Sequence, residues 1–449
     1  MIVSEEAFFS AKKVVTRKIF RPYCSLSTVR TFILPKFRKE RLEKMKNIST
    51  EEIKTLINKN LEFAKKIKNY LHEYPELSSR EFETRKFLIN ECRKLGLEIQ
   101  EVGNSTGFVA ILDTKKEGKI LGIRTDIDAL PIFENEKNLK GKKEIISKNL
   151  GVMHACGHDF HMALVLTSAK ILSELKDSLK GKIYFIFEEG EETGAGISQM
   201  IEHLKNIKFD GIYGNHVDTE IPTGKFSISK TKVYAGCAGV DFDVIGKGGH
   251  GSRPDLLTSP INSLVAIINN LNQTWASGLN PNEIVTLGIG SINAGFDSNV
   301  IPDKANLKAT LRFFEDEVGE KALGKLKDVA CKTANIYDCK VKFNDYTRIV
   351  AYPVINDEKL SDFARSSLEE IFPNSRVDEE VSFGSESFYG YGKVGPSVFV
   401  KIGVKNEEKG CGAGAHTEKF DVDNDALFYG LGCALNFLIN FDRKERKND

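Results

Sequence analysis

The sequence predicts an α/β protein whose main domain is interrupted by a smaller α+β domain. Three observations carry that reading. Between residues 50 and 215, short apolar runs alternate with helical apolar periodicity, the pattern of a sheet covered on both faces. From about Ala235 the strands turn to apolar/polar alternation and combine with helices in the order β-α-β-β-α-β, a ferredoxin-like arrangement. The last hundred residues return to the first texture, so the second unit is inserted. The boundaries that follow are 1–44 for a basic extension, 45–234 with 346–449 for the main domain, and 235–345 for the insert.

In the main domain, Ile53, Leu56, Ile57, Leu61, Ala64 and Ile67 recur at helical spacing, which predicts a helix from about Glu51. Tyr74-Pro75 ends it, because a proline ring disfavours helical backbone in the residue before it. A second helix is expected from Ser79 to Leu95, stopped by Gly96. Phe108–Leu112, Ile120–Ile123 and Lys182–Phe187 read as buried strands, and Gly211–Gly214 as a short one. Helices are expected over Ala163–Leu175 and around Ile197, Met200, Ile201 and Leu204. In the insert, VDFDVIG (240–246), IVTLGIGSI (284–292), ANLKATLRFF (305–314) and KVKFND (340–345) read as strands, with helices over 259–275 and 323–336.

Composition excludes several classes of function. The 449 residues are 41% hydrophobic and 28% charged, with a formal net charge of +1, so no dominant attraction to nucleic acid or a membrane surface is expected. No apolar run approaches the ~18–20 residues of a membrane span. Eight scattered cysteines are too few for a disulfide framework, which predicts reduced thiols and a cytoplasmic protein. The first 44 residues differ, with eleven Lys or Arg against four Glu. A targeting peptide is one reading. Glu5 and Glu6 and the lack of a secretory apolar core favour a dispensable extension.

The chemistry concentrates in MHACGHDFHMA, residues 153–163. Three histidines and a cysteine fall within eight residues of a chain that has eight of each. Cys156 and His158 are two apart, so on a turn they can converge on one ion, and a thiolate with an imidazole suits Zn²⁺ and related metals. Alone, the motif could be a loop with incidental polar residues. Downstream, the strand at 182–187 runs into GEETGAG, which sets Glu191 and Glu192 at a strand end, where open α/β sheets bind ligands. The bland alternative is a solvated charge pair. His216 follows another strand, and His416 follows a glycine-rich loop in GAGAHTEKF. Together these supply enough donors for two ions. The glycines of GKGGHGSRP (246–254) match neither a phosphate loop nor a dinucleotide fingerprint.

Several stretches resemble the M20 metallopeptidase superfamily, in its amidohydrolase branch of N-acyl-amino-acid, hippurate and auxin-conjugate hydrolases. They include LHEYPELSSREFET (71–84), RTDIDALPI (124–132), GVMHACGHDFH (151–161), FEEGEETGAG (187–196), GNHVDTEIPTG (214–224), NVIPDKANLKATLRFF (299–314) and AHTEKF (415–420). The resemblance implies a two-metal, zinc-peptidase-like catalytic domain interrupted by a lid or dimerisation domain. It implies Cys156, His158, Glu192, His216 and His416 as metal ligands, with Cys156 shared, and Glu191 as catalytic base. Asp128 stands where the superfamily keeps an acid that orients a ligand, and Asp126 where other branches have a histidine ligand. His250 resembles a lid histidine that reaches an active site, its own or the partner subunit's. Its alternative is a mobile loop residue. Asn299 and Arg312 are expected near substrate oxygens, although Arg312 could equally form a surface salt bridge.

The implied activity is hydrolysis of an N-acyl amino acid, with a dipeptidase or exopeptidase, or a non-catalytic metal-containing binding protein, as alternatives. The implied cofactors are two divalent ions (Zn²⁺, Mn²⁺, Ni²⁺ or Co²⁺), and the implied state is a homodimer. Two departures stand out. The branch often has FQPAEE where this chain has FEEGEE, and SEDF where it has Ser385-Glu386-Ser387-Phe388. Deletion of residues 2–44 is expected to leave folding and activity intact. Thermal melting and turnover of the truncated chain check it, and loss of either would make the extension part of the working protein.

Overall fold

The structure is a computed structural model that describes residues 48–378 and 381–448. The basic extension 1–44 lies outside the described residues. Helix α1 (Thr50–Glu73) and helix α2 (Phe82–Lys94) lead into strands β1 (Glu98–Glu101), β2 (Phe108–Asp113) and β3 (Ile120–Asp126). Helix α3 (His158–Glu174), β4 (Lys182–Glu188), α4 (Ile197–Leu204), β5 (Gly211–Pro222) and β6 (Phe226–Ser227) follow. After the insert come α7 (Glu358–Ile371), β12 (Ser397–Lys405) and α8 (Ala426–Asn448). Together they form one seven-stranded sheet in the order β1-β2-β4-β3-β5-β12-β6.

The four central strands, β4, β3, β5 and β12, run parallel. Because β3 lies between β4 and β5, the chain leaves it to one side and returns on the other. Such a switch point opens a crevice at the carboxyl ends of the strands. Helix α3 is buried over nearly its whole length, which is why a polar motif at its start sits inside the protein.

The insert forms a second sheet from β7 (Gly236–Ile245), β8 (Val285–Ala294), β9 (Lys304–Phe313) and β10 (Lys340–Phe343). Their order is β8-β9-β7-β10, all antiparallel. Helices α5 (Pro260–Ser277) and α6 (Asp316–Ile336) pack on it through Leu264, Ile267, Leu271, Leu323 and Leu326, against Val240, Phe242, Val244 and Leu307. A further strand, β11 (Ile349–Ala351), also pairs with β7 and lies beyond residue 345.

Three elements differ from expectation. Helix α3 starts at His158, five residues before Ala163, because Gly157 turns the chain in at φ 86° and nothing polar here faces water. Strand β5 runs to Pro222 because β12 pairs along it past the end of β3. Helix α6 starts at Asp316, whose carboxylate with that of Glu317 suits a helix N-terminus. No described helix is long and apolar enough to cross a membrane. The seven described cysteines are all free.

Helices α1 and α3 are joined by a buried ionic chain. His72 places Nδ1 2.8 Å from Asp159 and Nε2 3.0 Å from Glu134, and Lys143 Nζ donates to the same Glu134 oxygen at 2.9 Å. Burial alone would raise the Glu134 carboxyl, but the hydrogen bond and charge of His72, the Ser147 N–H and Lys143 outweigh it and bring it down to about 2. A depressed carboxylate adds stability above its ordinary value of 4.5, and that contribution is lost as pH falls toward 2. Glu134→Gln is therefore expected to lower the Tm of the metal-free protein by several degrees at pH 7 and by progressively less below pH 4.5. A constant difference down to pH 3 would mean that the charge of Glu134 contributes nothing.

Candidate metal and catalytic centre

The proposed ligands converge from four separate segments at the crevice. Cys156 lies in the loop before α3, and its Sγ is 3.3 Å from Nε2 of His216 on β5. His158 opens α3, with Nδ1 2.9 Å from the Asp128 carbonyl. A carbonyl only accepts, so Nδ1 carries the proton and Nε2 presents a lone pair. His216 is set the same way, with Nδ1 2.7 Å from the Val217 carbonyl. His416 Nε2 lies 3.3 Å from Glu192 Oε1, and His158 Nε2 lies 3.8 Å from the same oxygen.

Local backbone makes this convergence possible. Gly157 is left-handed, and a Cβ there would stand 2.4 Å from Val217 Cγ2, so only glycine lets the Cys156–His158 turn press against β5. Gly190 is also left-handed, at φ 57°, and starts a short 3₁₀ turn over Glu191–Thr193. That turn, in place of extended backbone, lets both adjacent acids face the crevice. His416 itself has φ 61°, a conformation that costs a non-glycine residue about 1–3 kcal/mol.

Asp128 binds the two halves together. Its Oδ1 lies 3.1 Å from His158 Nδ1, while Oδ2 accepts from Ser78 Oγ at 2.6 Å and from the Glu192 N–H at 3.1 Å. It therefore orients one ligand and the turn that carries another. Asp126 faces inward instead, accepting from Arg124 Nη1 at 2.9 Å and from His161 Nδ1 at 2.8 Å. The other nitrogen of His161 accepts from the Val217 N–H at 3.0 Å, so this ring joins α3 to β5 and has no lone pair left for an ion. His154 is buried, and burial pushes it down to about 4.

The donor set fits two cations. Donor atoms of Cys156, His158 and His216 lie within 4.8 Å of one another, as do those of Cys156, Glu192 and His416, so Cys156 belongs to both groups. His158 Nε2 is buried without a hydrogen-bond partner among the described residues, and Glu192 Oε1 has only the His416 ring near it, at 3.3 Å. Such groups cost roughly 1–3 kcal/mol each unless something else satisfies them. Burial pushes the Cys156 thiol well up, so a thiolate at this position needs positive charge beside it.

Glu191 lines a pocket of about 610 Å³ that also touches Cys156, Glu192, His216, His416 and Arg312. Its Oε1 accepts from the Ser387 N–H at 3.0 Å. Burial first, then the charges of Glu386 and Glu192, push its carboxyl up, which favours a group that takes and gives protons. Arg312 reaches the pocket from β9 of the second sheet and is held by the Phe383 carbonyl at 2.9 Å. It has no ion-pair partner among the described residues, so the surface salt bridge is not what the structure shows. His250 and Asn299 are exposed and outside the pocket lining. They lie beside each other on the second unit, where the Gly251 N–H donates to the Asn299 carbonyl at 2.7 Å.

Sequence reasoning missed the support beneath the site. The four acids of FEEGEE turn to different surroundings. Glu188 meets buried Arg124, Glu189 accepts from the Thr106 N–H at 3.1 Å, Glu191 meets Ser387, and Glu192 meets the ligand cluster. Glu81 fixes the turn from beneath, accepting from the Gly190 N–H at 2.9 Å. The two departures from the family pattern also touch, since Ser387 Oγ donates to Glu188 Oε1 at 2.5 Å. One available signal was the strand period, which puts Arg124 on the same face as Asp126.

Comparison with known proteins identifies the family. The family described as Peptidase family M20/M25/M40 matches residues 122–437. The chain belongs to that family. It is 34% identical over 401 residues to thermostable carboxypeptidase 1 of Saccharolobus solfataricus, covering 88% of this chain and 99% of the relative. It is 31% identical to the N-acetyl-L-cysteine deacetylase of Bacillus subtilis, covering 80% and 84%. The crystal structure of a Bacillus subtilis dinuclear metal-binding M20 peptidase superposes with a TM-score of 0.73 at 27% identity, covering 86% of this chain and 99% of that one. The M20 chain is thus a metal-dependent amidohydrolase. His158→Ala and His216→Ala are expected to lower the bound-metal stoichiometry, measured by elemental analysis after dialysis, while Glu191→Ala retains it. Full metal in both histidine variants would remove them from the ligand set.

Proposed function

We propose that this enzyme hydrolyses the amide bond of N-acyl amino acids, releasing a carboxylate and a free amino acid. The observation that carries the reading is the placement of Glu191. It is a half-buried carboxylate fixed by one main-chain N–H, beside the Cys156, His158, Glu192, His216 and His416 donors, in a pocket that Arg312 also lines.

Two divalent cations on those donors, of which Zn²⁺ best matches a thiolate with imidazoles and Mn²⁺, Co²⁺ or Ni²⁺ are the alternatives, supply an activated water and a polarised carbonyl. Glu191 takes the proton of the attacking water and delivers it to the leaving nitrogen, which cannot depart as an amide anion. Asp128 keeps His158 in one tautomer and orientation through its carbonyl and Oδ1. Arg312 offers its planar guanidinium to the free carboxylate of the amino-acid half, which aligns the amide with Glu191.

The insert, 235–345 and extended by β11 to Ala351, is proposed as a lid and dimerisation domain on a catalytic domain made of 45–234 and the remainder of 346–449. The apolar side chains of Ile261, Val265, Ile292 and Phe296 are exposed on it, which supports a homodimer. In such a dimer His250 and Asn299 would serve the partner subunit's pocket. The free cysteines support a reducing, cytoplasmic location. A carboxypeptidase reading is favoured by the name of the Saccharolobus relative, and the central chemistry is the same because a dipeptide is also an amide next to a carboxylate.

Metal-reconstituted enzyme should be assayed on N-acetyl, N-benzoyl and long-chain N-acyl amino acids beside dipeptides. Release from one acyl class is expected, with Glu191→Ala slower by about 10²–10⁴-fold. Turnover of dipeptides alone would establish the peptidase reading, and a fully active Glu191→Ala would remove the assigned proton carrier.

A further inference from the structure

We propose that Arg124, Glu188 and Ser387 form a buried clamp that sets the position of Glu191, with Glu188 as a positioning residue for catalysis. This rests on the reading of Glu191 as proton carrier. Arg124 and Glu188 are fully buried on neighbouring parallel strands. Arg124 Nε and the Tyr391 hydroxyl both donate to Glu188 Oε2, at 2.9 and 2.6 Å. Ser387 Oγ donates to the other oxygen at 2.5 Å and accepts from Arg124 Nη2 at 2.7 Å. The main-chain N–H of the same serine donates to Glu191 Oε1 at 3.0 Å. A continuous set of hydrogen bonds thus runs from the guanidinium through Glu188 and Ser387 to the proton carrier.

The geometry of the turn strengthens the link. Ser387 and Tyr391 belong to one short 3₁₀ segment, Ser387–Lys393, so the two oxygens of Glu188 grip that segment at two points one turn apart. Glu386 completes the attachment, with Oε1 3.1 Å from Arg124 Nη2 and accepting from the Phe388 N–H at 3.0 Å. The N–H that meets Glu191 is therefore fixed from behind by Arg124, Glu188 and Tyr391, none of which lines the pocket, through Glu386 and Ser387, which do. A misplacement near 1 Å in a reacting group can cost on the order of 100-fold in rate, so a clamp of this kind is worth its buried charge.

The test moves the carboxylate across the bond between Glu188 and Ser387. Glu188→Gln removes the charge, Ser387→Ala removes the side-chain link, and the double variant Glu188→Gln/Ser387→Asp restores the charge count around Arg124. Each single variant is expected to bind its full complement of Zn²⁺ and keep KM within about twofold while kcat falls about 10- to 100-fold. The double variant is expected to recover about tenfold of that loss. In crystal structures, Glu191 is expected to leave the Ser387 N–H in Glu188→Gln and to return in the double variant. Unchanged kcat with Glu191 still in place overturns the clamp, and so does a loss that the double variant fails to recover. An active Glu191→Ala would instead overturn the proton-carrier reading, and the crystallographic positions would still decide whether the clamp exists.

Discussion

The guanidinium of Arg124 is the interaction on which the rest of the site depends. It is fully buried and faces Asp126, Glu188 and Glu386, each within 3.1 Å. Burial works against its charge, yet the three carboxylates outweigh that effect and raise its pKa well above the ordinary value. Removing one member of a buried ionic cluster costs about 3–5 kcal/mol, mostly because the remaining charges lose their partner. Each carboxylate also has a second task. Asp126 holds His161 and through it β5, Glu188 holds Ser387, and Glu386 starts the turn that follows. A single cation thereby coordinates the three strand ends and one loop that carry the chemistry.

The run of four acids in FEEGEE becomes intelligible on that basis. Adjacent carboxylates repel unless each has its own source of positive charge or hydrogen bonds. Here β4 ends at Glu188, Gly190 reverses the chain, and the turn sends Glu189 to the Thr106 loop and the last two acids toward the crevice. Glu81 beneath the turn is itself buried, and burial brings its carboxyl up to about 7. A protonated Glu81 would lessen the local negative charge while its Oε1 still accepts from the Gly190 N–H. The different surroundings of Glu191 and Glu192 are thus made by backbone geometry, since the two side chains are chemically identical.

Much of the architecture was legible because it rests on local signals. The apolar runs that became β2, β3 and β4 and the alternation that became β7 are read directly from period. The donor cluster was legible because Cys156 and His158 stand two apart in a dense His/Cys motif, and Glu192, His216 and His416 each follow a strand or a glycine-rich loop. The rest lacked a local signal. The start of α3 was hidden because a helix buried on all sides shows no amphipathic period, and its polar first turn resembles a loop. The full length of β5 depends on pairing with β12, which lies far along the chain. The bond between Arg124 and Ser387 spans 263 positions, and no periodicity in one sequence marks such a contact. Likewise, the sequence suggested His250 and Asn299 for the substrate but could not say which side of the second unit they occupy.

Arg312 brings the second sheet into the pocket. A guanidinium on the same strands as the candidate metal donors would stand among Glu191, Glu192 and Glu386 and would be neutralised by them. Arg312 instead reaches the pocket from β9, its guanidinium occupied by the Phe383 and Leu311 carbonyls and the Cys237 sulfur, with no carboxylate partner among the described residues. A hydrogen bond to a neutral carbonyl orients the fork, while an ion pair would cancel it. The main sheet therefore concentrates negative charge where cations and a proton carrier are needed. The second sheet brings the guanidinium of Arg312 to the same pocket.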